Sequence, residues 1–297
     1  MSASRGTMGQ LGIDTVSPVA QRFQYISEDL VNNEEKIDAG GIVGSRDYDI
    51  ARVRGGPQKI AGPIIFQPTA VELAALLPWI LCGTTSGTPV VSYFLGNDSA
   101  ERHVAIDRVG KVFNFVGVGV DVATLTCNQG EALRLTTNCV AKTESVANAG
   151  TFPAIDFDSD TGPFILSDLV MTVNAVTVTP KNLTLTINNM IDKERFFNSN
   201  TLSDIVMLDR IVTFSTLLPY GAHEALYGAG GDAGVQVIAT FTNGAAELVI
   251  TLPKVVLPKR GPNTPGRVEI MLPLEGKAYR NYVTPTATIL CTLNTGV

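Results

Sequence analysis

The chain has 297 residues, of which 45% are hydrophobic and 17% charged. That is enough apolar material for a core, too much for a disordered tail, and long enough for two domains at roughly 100–200 residues each. The formal charge of −6 divides evenly, with 12 basic and 15 acidic groups in residues 1–150 and 10 and 13 in residues 151–297, so neither half offers the basic surface that grips phosphates by releasing counterions.

Residues 1–27 show no clear period and read as an extended N-terminal arm, with neither a secretory leader nor a membrane span expected. Residues 30–37 barely alternate and make a weak first strand. Residues 63–66 make a firmer one. Residues 68–83 carry the best helix signal: Thr69 and Glu72 have capping-box spacing, Leu73, Leu76, Leu77 and Ile80 form a stripe, and Gly83 can close the end. Pro78 should kink or break that helix.

The dominant period is two. In residues 112–125, Val116, Val118, Val120 and Val122 fall on one face, and Gly117, Gly119, Asp121 and Ala123 on the other. A turn at 128–130 followed by alternation through 132–137 reads as a hairpin. Residues 146–163 are small, polar and turn-rich, and form the expected joint between a first domain (28–150) and a second (151–297). Further strands are expected at 169–178, 183–187, 205–208, 235–241, 248–252, 268–272 and 287–293, with a short helix at 219–228. Strands, helix, then strands occur twice, about once per 150 residues, which suggests an internal duplication.

Chemistry-bearing patterns are few. His103 and His223 lack a nucleophile elbow beside them. Cys82, Cys127, Cys139 and Cys291 are widely spaced and read as buried thiols, so no metal or cofactor site is expected. Asp156, Asp158 and Asp160 resemble the start of a calcium loop, but the glycine comes one place late, at Gly162, and Ser167 stands where a bidentate Glu is needed. The run 228–234 is glycine-rich yet lacks the Lys-Ser/Thr of a phosphate loop. The single tryptophan, Trp79, sits in the apolar helix, which leaves little for a sugar platform.

Several segments carry a family likeness: Glu28-Asp-Leu, Ile42-Val-Gly-Ser-Arg, Ile60-Ala-Gly-Pro-Ile-Ile-Phe, Phe115-Val-Gly-Val-Gly-Val-Asp-Val, Leu183-Thr-Leu-Thr-Ile-Asn-Asn-Met-Ile, Glu194-Arg-Phe-Phe and Asp209-Arg-Ile-Val-Thr-Phe. Through them the chain resembles the two-domain tail tube proteins of long-tailed bacteriophages. The resemblance implies a mostly β fold of two tandem β-sandwich or barrel domains, each flanked by one helix. It implies a non-enzymatic virion protein, assembled in the bacterial host cytoplasm. Three chains per ring with pseudo-sixfold symmetry are favoured, and a hexamer is the alternative. Rings would stack into a tube that conducts DNA without binding it. Tail terminator, tape measure and baseplate proteins are the implied partners.

On that reading Gly117, Gly119, Asp121 and Ala123 are expected to line the channel. Tyr48, Arg52, Phe196 and Phe197 are expected at subunit or ring contacts. A capsid decoration or baseplate component, or a carbohydrate-binding sandwich, is the alternative.

Overall fold

The computed structural model describes residues 9–16, 21–40, 50–85, 87, 89–148, 162–229, 231–262, 264, 266–282 and 287–296. The first half contains β1 (Gln10–Asp14), β2 (Arg22–Phe23), β3 (Ser27–Glu28), β4 (Val31–Asp38), β5 (Val53–Phe66), helix α1 (Ala70–Leu81), β6 (Cys82–Thr85), β7 (Val90–Leu95), β8 (Arg102–Asp107), β9 (Lys111–Asn128), β10 (Arg134–Ala141) and β11 (Thr143–Asn148). The second contains β12 (Leu169–Val173), β13 (Val176–Val178), β14 (Asn182–Asn188), β15 (Ile211–Pro219), a one-turn helix α2 (Tyr220–His223), β16 (Val235–Asn243), β17 (Ala246–Val256), β18 (Met271–Ala278) and β19 (Leu290–Asn294). The fold is mostly β.

The pairings of the two halves repeat. In the first, β4 pairs with β5, β5 with β10, β10 with β9, and β9 with β8 and β11; β8 pairs with β1 and β1 with β2. In the second, β14 pairs with β15, β15 with β18, β18 with β17, and β17 with β16 and β19; β16 pairs with β12 and β12 with β13. The halves also exchange strands. β14 lies along the end of β9, and β7 of the β6–β7 hairpin lies along β19. All the pairs are antiparallel, so each continuous layer can present one face to the core and one outward.

Several local expectations are corrected. Part of the expected N-terminal arm is sheet: Leu11, Ile13 and Phe23 are buried, and β1 runs antiparallel to β8. Residues 169–178 are not one strand but the β12–β13 hairpin, whose turn residues Asn174 and Ala175 both take positive φ (52° and 62°), as the twist of a two-residue hairpin requires. Residues 205–208 form no strand; Met207 makes a single bridge to Ile191. β18 and β19 each begin about three residues after the expected start.

Helix α1 begins as the sequence implies. Thr69 N donates to Glu72 Oε2 (2.9 Å) and Glu72 N donates to Thr69 Oγ1 (3.4 Å). It ends on Cys82 (φ 65°) rather than on Gly83. Pro78 does not end it; the helix runs on to Leu81. The missing Pro78 N–H frees the carbonyl of Ala74, and the buried Tyr93 hydroxyl donates to that oxygen at 3.4 Å, replacing the lost helical partner. Leu73, Leu76, Leu77, Trp79 and Ile80 are each at most 2% exposed. At about 1.5–3 kcal/mol per large apolar side chain, that burial rather than helix propensity holds α1 in place.

Glu72 reaches further than its cap: Oε1 also accepts the N–H of Gln24 at 3.0 Å. Burial pushes its carboxyl above the usual range, opposed by the hydrogen bonds from Thr69 and Gln24. A carboxyl raised in the folded state keeps its proton longer there than in the unfolded chain. Its contribution to stability is therefore complete below the unfolded value of 4.5 and is lost as pH rises through the folded value. The advantage of wild type over Glu72→Gln is expected to be largest in acid and to shrink toward neutrality, as read by urea unfolding across pH. A difference that widens with pH would contradict the burial argument.

Candidate functional site: a threonine face and two neighbouring loops

β9 changes face twice. Phe115 is buried, Gly117 takes φ +62° at a bulge opposite β8, and the buried positions become Val118 and Val120. A second register shift opposite Asn138 and Cys139 passes over Asp121, after which Ala123, Leu125 and Cys127 point inward. Each bulge inserts one residue and so reverses which parity faces the core.

The two bulges decide where the expected channel residues lie. Ala123 is fully buried, in one row with Thr137, Ile187 and Val212. A side chain on Gly117 would meet the stem of Lys142, and one on Gly119 would meet Ile205 Cγ2 at 2.7 Å. Asp121 is 8% exposed; it accepts the N–H of Ile191 (2.9 Å) and pairs with Lys193 Nζ (2.6 Å). This corrects the expectation that the four line an open face: the segment between β14 and β15 covers Gly119 and Asp121, Lys142 and Glu101 cover Gly117, and Ala123 is core.

The open face is the other one. Across β10, β9, β14, β15 and β18 the register aligns Thr136, Thr124, Thr186, Thr213 and Lys277 in one row. The next row is Arg134, Thr126, Thr184, Ser215 and Glu275. All ten are partly or fully exposed, while Leu135, Leu125, Leu185 and Phe214 between them face the core. Threonine suits such a face, because its β-branch favours the extended backbone and its hydroxyl stays solvated. Thr124 and Thr186 Oγ1 stand 3.5 Å apart, so the hydroxyl row crosses the joint between the halves. Charge is confined to the ends of the rows. Near one end Glu275 holds Arg260 at 2.7 Å.

The two loops expected at subunit contacts occupy neighbouring positions. Both join paired antiparallel strands, β4 to β5 and β14 to β15. Arg52 is exposed in a short 3-10 turn (Ile50–Arg52) just before β5; Tyr48 lies outside the described residues. Phe197 is 67% exposed with the Arg195 guanidinium 4.9 Å above its ring. Phe196 instead packs partly on a small cluster of Val140, Ile191, Leu202 and Ile205. The β14–β15 loop meets the start of β5, where Gln58 N donates to Asn200 O (2.7 Å), Asn200 Nδ2 donates to Gly55 O (3.1 Å), and Lys59 pairs with Glu194 (3.5 Å). Asp204 receives Lys142 Nζ at 3.1 Å, and that hydrogen bond holds its carboxyl below the usual range.

A buried polar junction fastens this end of the sheet. Asn189 is fully buried; its Nδ2 donates to Val120 O (2.9 Å) and Ile80 O (3.2 Å), and its Oδ1 accepts Arg210 Nε (2.9 Å). Arg210 also donates to Gly96 O at 2.8 Å. One side chain thus ties together β9, the end of α1 and the entry to β15. Cys127, Cys139 and Cys291 are buried free thiols, and burial pushes them up to about 11, 12 and 12. The acidic stretch at Asp156, Asp158 and Asp160 lies outside the described residues.

Among known proteins, a family model described as "phage tail tube protein" matches residues 6–278. No curated protein matches the chain.

Proposed function

The chain belongs to the phage tail tube protein family, and from that premise we propose that copies of it close into rings, that the rings stack into the tail tube of the virion, and that DNA passes through the bore. The halves, divided near residue 150, act as two tube domains, so three chains give a ring of pseudo-sixfold symmetry. The observation that carries this reading is the sheet shared by both halves, with a packed face on one side and threonine rows on the other. We assign the threonine stretch of those rows, Thr136, Thr124 and Thr186 with Thr126 and Thr184, to the channel wall. A neutral hydroxyl surface releases no counterions when a phosphate passes, so it provides little to hold the genome in place. The loops bearing Arg52, Phe196 and Phe197 make contacts between subunits or rings. Terminator, tape measure and baseplate proteins meet the tube at its ends and interior. The protein performs no chemistry in this role.

Negative-stain images of the purified chain, over a range of concentrations, test the assembly directly: rings or tubes are expected. A monomer at every concentration would sink the proposal. The channel assignment has its own test. Phage carrying Thr124→Arg with Thr186→Arg should build normal tails but release DNA slowly at low salt, with release recovering as salt rises. Roughly one unit of log–log salt slope per added phosphate contact is expected. Unchanged release at low salt would remove the rows from the wall.

A further inference from the structure

The repeated pairings give residue-by-residue equivalence between the halves. Leu135–Ala141 on Phe66–Ile60 matches Leu272–Ala278 on Leu218–Val212. The bulge between Phe115 and Val118 matches that between Leu252 and Val255. The bridge Ile191↔Met207 matches the pair Lys36↔Gly55. By this count Gly119 corresponds to Val256, Asp121 to Pro258, Val140 to Lys277 and Lys142 to Tyr279. In the loops, Leu202 corresponds to Ile50, Asp204 to Arg52 and Ile205 to Val53.

The first-half site is filled by the chain's own second-half loop. Leu202 and Ile205 are 4% and 3% exposed there, on Val140 and over Gly119. The corresponding second-half site is open. A concavity of about 540 Å³ begins there at Val256, Pro258, Lys277 and Tyr279 and continues past Thr213 onto the threonine rows at Thr184 and Thr186; the site corresponding to the filled one is its Val256–Tyr279 end. The corresponding plug is open as well: Ile50 is 83% exposed and Val53 37%. The strand edges follow the same rule. β14 has β15 on one side and β9 on the other, whereas β4 has only β5 as a strand partner among the described residues.

We propose that the β4–β5 hairpin of one copy docks in this groove on a second copy, as the β14–β15 loop docks on β9 and β10 within one chain. The partner is a second copy of this chain, and the proposal rests on the ring reading above. Val53 seats on Val256, Ile50 covers the stem of Lys277, and Arg52 takes the place opposite Tyr279. Tyr279 is 47% exposed, and its ring, which carries Lys277 Nζ at 5.5 Å in the single chain, is a face that a guanidinium can share. The register of β14 on β9 carries over to place Asn33 beside Lys259 and Asn32 beside Arg260. The acidic strand with Glu34, Glu35 and Asp38 then meets a basic segment. The chain cannot satisfy this contact with its own hairpin, because that hairpin stands at the opposite end of the shared sheet from β18. Each copy therefore carries one plug and one socket. Such a head-to-tail contact closes a ring when the rotation per copy divides the circle.

The test is a cysteine pair at Val53→Cys and Val256→Cys, positions that correspond to the touching pair Ile205 and Gly119. Under mild oxidation the assembled double variant should give covalent multimers on a non-reducing gel, ending at a trimer if the ring has three chains; neither single variant should. A second variant, Ile50→Asp with Val53→Asp, changes two exposed side chains. It should keep the wild-type melting temperature while raising the concentration for half-assembly roughly 100-fold. Assembly without cross-linking, or assembly of the Asp variant at the wild-type concentration, overturns the docking and leaves the tube reading standing. Wild-type protein that never assembles overturns both.

Discussion

Asn189→Ala is expected to cost about 3–5 kcal/mol of folding free energy. The substitution removes two donors and one acceptor at a site with no solvent access: Val120 O loses the Asn189 amide, Ile80 O keeps only the weak Cys82 thiol at 3.8 Å, and Arg210 Nε loses Asn189 Oδ1. Each buried polar group left unsatisfied costs about 1–3 kcal/mol, and a charged one more. Urea unfolding should show the midpoint falling with little change in slope, and the melting temperature should drop by about 10 °C. Thr184→Ala, on the open face, should stay within about 0.5 kcal/mol of wild type. A loss below about 1 kcal/mol at Asn189 would mean that water replaces the side chain and that the junction is not dry.

Trp79→Ala should be comparably severe, at about 3–5 kcal/mol. Trp79 is 1% exposed, and its Nε1 donates to Val118 O at 2.9 Å. That carbonyl lies beside the first bulge of β9, so one indole both fills the space under the helix and holds the strand where it changes face. Trp79→Phe separates the two roles, since it keeps most of the volume and drops the hydrogen bond. It should lose about 1–2 kcal/mol. As the chain's single tryptophan, Trp79 also reports on the wild type: its fluorescence should shift to the red in one step on unfolding. Two separate steps would show that the helix and sheet part company.

Much of the fold could be read from alternation and caps. The period of two placed β9, β14, β16 and β17. Thr69 and Glu72 placed the start of α1. The errors share a physical cause, because each arises where a contact distant in sequence overrides a local pattern. Residues 205–208 are apolar and strand-like, but Ile205 is used as a plug on Gly119 rather than as a ladder residue. The arm looked aperiodic because β1 contributes only Leu11 and Ile13 to the core. The channel residues were placed by extending one parity through β9, and a bulge leaves no mark in hydrophobic period. Gly117 was the available hint, since a glycine in mid-strand often signals a bulge. The threonine rows were also present in the sequence, as Thr124, Thr126, Thr184 and Thr186 at alternate positions. Only the register of β14 on β9 makes them neighbours.

The strand exchange between the halves bears on how the chain is made. β9 emerges well before β14, and the β6–β7 hairpin waits for β19, about 200 residues further along the chain. At about 5–20 residues per second, the nascent first half spends many seconds with its future partners still unmade. A fragment ending at residue 148 should therefore lack protease resistance that the full chain has; a resistant fragment would refute this. Because the donor strand for each half comes from the other, the synthesis of β19 itself acts as a timer. A nascent chain that still lacks β19 cannot yet offer its neighbours a finished surface, which keeps early polysomes from becoming sites of premature growth.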